Sequence, residues 1–168
     1  MNIEFFKNTL FTIGLLLLQA LVFNQVHLFG CATPLIYIYA ALLFPRDFPR
    51  WAIITYCFVV GLVIDMFNNT PGLAAGSMTL LGMLQPMLLS LFVHRDNPNG
   101  ADLHPSVSSI GFSKFVNYTT LCVFIYCTVF FTLEAFSFFN MLQLVLNVVG
   151  SSVITILLIV VVETLRDS

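Results

Sequence analysis

The sequence predicts an all-α integral membrane protein whose six transmembrane helices form three helical hairpins. Three observations lead there. Only 8% of the 168 residues are charged while 59% are hydrophobic, whereas an ordinary soluble domain carries about 25% charged residues. The charges divide the chain into three long, nearly charge-free blocks. Each block has turn-forming residues near its middle. A small domain cannot bury so much apolar side chain in one core, and lipid is the solvent that accepts the remainder.

The first block lies between Lys7 and Arg46, with no Asp, Glu, Lys or Arg from Asn8 to Pro45. His27, Gly30, Thr33 and Pro34 break it into predicted helices over 8–28 and 33–45. Blocks of roughly 40 to 50 residues suit two passes of about 20 residues each. The opening apolar run resembles the core of a signal peptide, but Asn24-Gln25-Val26-His27 offers no small-residue cleavage site, so it reads as a retained helix. The second helix is the weak member. Thr33 to Phe44 rises only about 18 Å as an α-helix. It must be short, shielded by neighbours or extended into the Pro45–Pro49 connection, and five passes remain an alternative to six.

The second block, Trp51 to His94, holds a single acidic residue, Asp65, and no Lys or Arg. Asn68-Asn69-Thr70-Pro71-Gly72 splits it into helices over 50–67 and 71–94. The third, Phe115 to Leu165, holds only Glu134 and Glu163. A weaker break at Ser137–Asn140 gives helices over 113–137 and 140–164. All six Lys and Arg residues then fall on one side, which the positive-inside rule makes cytoplasmic together with both termini. Trp51 is placed for the headgroup level. His94 to Ser113 is the one long polar loop, a linker between hairpins or a functional segment. The whole chain, 1–168, reads as a single transmembrane domain.

Several function classes are excluded. A net charge of −2 with no basic cluster argues against nucleic acid. The four cysteines form no CxxC pair, and the three histidines have no metal-ligand spacing. No nucleophile stands with a base and no phosphate loop is present, so neither an enzyme nor a cofactor is expected.

The candidate functional residues cluster at the second break. Asn68 and Asn69 follow Asp65 by three and four residues, placing all three on one helix face. A carboxylate at a helix C-terminus is opposed by the macrodipole, and at the membrane midplane it costs about 3 kcal/mol. Asp65 therefore needs an interface or a partner. Thr70 as N-cap and Pro71 as first residue of the fourth helix offer free N–H groups nearby. Asp65 then braces this turn, organises an extracytoplasmic site, or does both. Gly72 and Gly76 make a small-xxx-small step for close helix approach, and Pro86 should kink or loosen the fourth helix. Asn140, Gln143, Asn147, Gly150, Ser151 and Thr155 form a polar stripe suited to buried packing. Glu134 reaches the headgroups, bonds to that stripe, or pairs with Asp65.

The length, the six apolar runs, Pro34-Leu35, and Gly61-x-x-x-Asp65 followed by Pro71-Gly72-Leu73 and Gly76 resemble the rod-shape-determining protein MreD family of bacteria. The resemblance implies an inner-membrane, non-enzymatic scaffold of the cell-elongation and peptidoglycan-synthesis machinery. It implies a bitopic MreC-like partner, together with a RodA-like polymerase, a transpeptidase and an MreB-like cytoskeleton. It further implies the six-helix fold of substrate-binding subunits (S-components) of energy-coupling-factor vitamin transporters. Such a vitamin-binding subunit is the rival function, and would place a ligand pocket near Asp65 and Glu134.

Overall fold

The computed structural model describes residues 2–21, 33–45, 48–92, 105, 107–135 and 141–167. Among these the chain is all-helical, with no strand. The helices are α1 (Asn2–Leu21), α2 (Ile38–Leu42), α3 (Arg50–Asn68), α4 (Leu73–Phe92), α5 (Val107–Ile110), α6 (Phe112–Ala135) and α7 (Met141–Asp167). Four of them, α3, α4, α6 and α7, are long and apolar enough to cross a membrane, and the chain is a multi-pass membrane protein. The breaks expected at His27–Gly30 and Ser137–Asn140, and most of the long polar loop, lie outside the described residues.

The burial pattern of α7 explains why lipid is the right solvent. Its buried face carries Ser151, Ser152, Thr155 and Glu163, while Leu142, Leu146, Val149, Val153, Leu157 and Leu165 are exposed. A water-soluble helix sorts its residues the other way. Polar side chains inside and aliphatic ones outside is the arrangement hydrocarbon selects.

The main departure from the sequence expectation is the helix over 33–45. Only Ile38–Leu42 is α-helical. Those five residues rise about 8 Å, far less than the roughly 30 Å of hydrocarbon. The approach to α2 is tight, with residues 38, 39 and 40 donating to the carbonyls three positions back, at 3.3, 3.1 and 3.0 Å. Before it, Pro34 has no N–H, and the amides of Leu35 and Ile36 bond to side chains instead of to backbone. Every residue from Pro34 to Phe44 is buried. Non-helical backbone at membrane depth must be shielded by protein, and this stretch is.

The α3–α4 pair forms the closest helix contact. Gly61 lies against Ala74 and Ala75, while Gly82 lies against Cys57 and Ile53. The pairing runs in opposite senses along the two chains, so the helices are antiparallel. The expected small-xxx-small step plays no part in it. Gly72 and Gly76 are exposed, and a Cβ at either would meet nothing within 4 Å. The approach is made by Gly61 and Gly82, whose missing side chains let backbone meet backbone and thiol. Pro86 is buried within α4, which continues as one helix to Phe92. Tyr118, Cys122 and Tyr126 of α6 complete the core, the Tyr126 hydroxyl lying 2.6 Å from that of Tyr37.

Candidate functional site

The turn between α3 and α4 is organised by Asp65. The residue is 6% exposed. Oδ1 accepts from the Ala74 N–H at 2.8 Å and the Thr70 hydroxyl at 3.1 Å, and Oδ2 accepts from the Ala75 N–H at 2.9 Å. The backbone carbonyl of Asp65 also accepts from the Asn69 and Thr70 amides. The macrodipole of α3 opposes a charge at its C-terminal end, but the positive end of α4 meets it directly. Bonds of this length to an ionised acceptor are the strong kind. With these bonds Asp65 braces the turn.

Gly61 makes that bracing possible. It lies one helical turn before Asp65 and contacts the same two residues whose amides the carboxylate holds. The spacing Gly-x-x-x-Asp thus has a physical content. The glycine lets α4 come close, and the aspartate then caps its N-terminus.

The other candidates fall around this core differently from expectation. Asn68 ends α3 half-buried, whereas Asn69 adopts a left-handed conformation with φ of 58° and is exposed. Leaving the helix there removes Asn69 from the face it was expected to share with Asp65; asparagine tolerates this conformation better than most residues. Thr70 donates its hydroxyl to Asp65 rather than capping α4 itself. Pro71 and Gly72 form an exposed turn ahead of α4, which begins at Leu73 rather than at Pro71. Gly72 has φ of +86°, a conformation open to glycine and costly for other residues, and this delays the helix. Gly76 donates to the Gly72 carbonyl at 3.0 Å and faces outward.

The carboxylate oxygens of Asp65 are engaged by its own hairpin. Glu134 is exposed near the end of α6. Of the polar stripe on α7, Asn147 is half-buried, Gln143 is exposed and Asn140 lies outside the described residues. Further along α7, two residues of the stripe accept backbone N–H groups. Ser151 Oγ accepts from the Thr33 amide at 3.0 Å and Thr155 Oγ1 accepts from the Leu35 amide at 3.1 Å.

These two bonds belong to a cradle around residues 33–44. From α1, the Gln19 amide donates to the Pro34 carbonyl at 2.8 Å and its oxygen accepts from the Ile36 amide at 3.0 Å. From α4, Gln85 Nε2 donates to the Phe44 carbonyl at 3.1 Å. From α7, the fully buried Glu163 accepts from the Tyr39 hydroxyl. Glu163 also accepts from the Val107 amide at 3.3 Å, ahead of α5. Arg166 lies 3.9 Å from Glu163 and donates to the Tyr39 hydroxyl at 3.0 Å.

The sequence reading did not select Gln19, Tyr39 or Glu163. The signals were present: a glutamine inside an apolar run, and an acid three residues before an arginine on one helix face. Gly61 stands out in the sequence only as part of the Gly-x-x-x-Asp motif. Among the described residues no group of three His, Cys, Asp or Glu side chains stands close enough to hold a metal ion. Along α1, Leu10, Phe11, Gly14, Leu15 and Leu18 form an open apolar surface. Compared with known proteins, the chain is matched by no family model, no curated protein and no solved structure.

Proposed function

We propose that this chain is a non-enzymatic scaffold of the cell-elongation machinery in the bacterial inner membrane, acting as MreD-like proteins do. Its partner is an MreC-like bitopic protein, with a RodA-like polymerase, a transpeptidase and an MreB-like cytoskeleton in the same assembly. In this reading the chain makes six passes as three hairpins in an S-component-like fold, and both termini are cytoplasmic. The support is the Gly61-x-x-x-Asp65 motif with Pro71-Gly72-Leu73 and Gly76. The observation that carries the scaffold role is that Asp65, the motif's one ionisable group, has both oxygens committed to α4. A motif built that way makes a rigid hairpin with an exposed tip at Asn69, Pro71 and Gly72, fit for contact rather than catalysis. A vitamin-binding subunit would instead need polar groups open to a ligand.

The test is retrieval from cells of a tagged copy that supports normal growth. MreC-like and RodA-like proteins are expected to co-purify with it, and to be lost with Asp65→Ala at equal membrane abundance. Recovery of neither partner by the wild-type protein overturns the reading. Nanomolar binding of a vitamin-like molecule by the purified protein replaces it with the transporter subunit.

A further inference from the structure

Near its C-terminal end, α7 carries a carboxylate whose two oxygens serve two separate parts of the chain. Glu163 is fully buried. Its Oε1 accepts from the amide of Val107, the first residue of α5, at 3.3 Å. Its Oε2 accepts from the hydroxyl of Tyr39 in the buried segment 33–44. Arg166 stands one turn further along α7. Its Nη1 lies 3.9 Å from Oε2, beyond hydrogen-bonding distance, and donates instead to the Tyr39 hydroxyl at 3.0 Å. A phenol can donate and accept at once, and this one does both, standing between the two members of an ion pair. The α5 side of the arrangement is a short covering element. Val107 and Ile110 are half-buried against the core, Pro105 is buried, and Gly111, with φ of +91°, turns the chain from α5 into α6.

We propose that Glu163 is a two-way latch: while α5 is seated the carboxylate holds Tyr39, and when α5 lifts away it turns to Arg166 and lets Tyr39 go. The physical reason is the cost of a buried charge. A carboxylate in a dry site needs donors, and one left short of a donor bears its desolvation penalty uncompensated. Loss of the Val107 N–H leaves Glu163 short. The nearest relief is the Arg166 guanidinium, three residues on along the same helix face, whose side chain is 33% exposed. A direct Glu163–Arg166 pair makes charge-assisted bonds and removes both partners of the Tyr39 hydroxyl together. The buried segment then loses its tie at Tyr39 and keeps those to Gln19, Ser151 and Thr155 at its other end. Because α5 ends the long polar loop between α4 and α6, movement of that loop is passed through Glu163 to residues 38–42.

Amide hydrogen exchange of the full-length protein in nanodiscs, read by mass spectrometry, tests this with Val107→Pro. That change removes the N–H, and proline is tolerated in the first turn of a helix. Exchange over residues 38–42 is expected to rise several-fold while α3 keeps its wild-type rate. Wild-type exchange over 38–42 overturns the latch. The charge supplies a second arm. In Glu163→Gln the side chain still accepts from Val107 but gains little from Arg166, so adding Val107→Pro should change exchange over 38–42 far less. An equal rise in both backgrounds means general loosening and overturns the latch too. Should Val107→Pro fail to fold, Tyr39→Phe decides, because such coupling is reciprocal. Exchange at Val107 should then rise several-fold, and unchanged exchange there refutes the latch.

Discussion

An alanine at position 61 would place its Cβ 2.5 Å from Ala75 Cα and 2.6 Å from the Ala74 carbonyl oxygen. Both obstacles are backbone, so no rotamer change relieves them. Carbon atoms rest at about 3.5–4.0 Å, and α3 and α4 would have to separate by about 1 Å. Overpacking of this kind costs about 1–3 kcal/mol. The same movement stretches the Asp65 bonds to Ala74 and Ala75, now 2.8 and 2.9 Å, toward the limit of hydrogen-bonding range. Bonds to a charged group contribute about 1.5–3 kcal/mol each. Alanine recovers up to about 1 kcal/mol in helix propensity. With the two bonds weakened together rather than wholly lost, Gly61→Ala should destabilise the protein by about 3–5 kcal/mol. Gly76→Ala is the matched control, since nothing lies within 4 Å of its added Cβ; it should be neutral or slightly stabilising. Equilibrium unfolding in mixed micelles, followed by circular dichroism and by labelling of the buried Cys57 thiol, measures both. A Gly61→Ala protein within about 0.5 kcal/mol of wild type, or a Gly76→Ala protein equally damaged, would refute the close-approach argument.

Asp65→Ala leaves the Ala74 and Ala75 amides without their acceptor and should cost about 3 kcal/mol, while Asp65→Asn, which keeps one acceptor oxygen, should cost about half as much; unfolding curves that rank the two equally would contradict the capping role. Glu163→Ala removes the acceptor of the Tyr39 hydroxyl and the Val107 amide, and should cost about 3–5 kcal/mol. Glu163→Gln should be milder because it still accepts, and the same unfolding assay compares them. Gln19→Leu should accelerate amide hydrogen exchange at Ile36 at least tenfold while leaving α3 unchanged; unaltered exchange at Ile36 would show that Gln19 does not hold the segment. Cys57, Cys122 and Cys127 are buried, and peptide mapping after maleimide treatment should find them unmodified until the protein is denatured.

The parts legible in the sequence were those governed by local pattern. Charge-free runs between basic residues located α3, α4, α6 and α7 to within three residues at each end, because helix length in a membrane is set by hydropathy along the chain. The Asn68–Gly72 break was legible for the same reason. Its details were not, because Gly72 takes a left-handed φ and delays α4, and Asp65 claims the capping role that Thr70 was expected to fill. Which glycines mediate close approach depends on which face of α4 meets α3. Both pairs, Gly72–Gly76 and Gly61–Gly82, look equivalent in one dimension. The cradle around residues 33–44 was hidden more deeply. The sequence flagged its length as too short for a helix crossing, but the side chains that make the short form viable come from three other helices, α1, α4 and α7, up to 124 residues away.

That distance bears on how the protein is made. The partners of Thr33, Leu35 and Tyr39 on α7 are 118, 120 and 124 residues downstream. When residues 33–44 leave the ribosome, none of those groups has been synthesised. The segment's open amides must wait, in the insertion machinery or at the aqueous interface, until the last helix enters the membrane. A nascent chain released before residue 151 would carry α3, α4 and α6 but lack the α7 acceptors of Thr33, Leu35 and Tyr39. Cellular quality control would meet such a product as an incompletely assembled membrane protein, however well its helices had inserted.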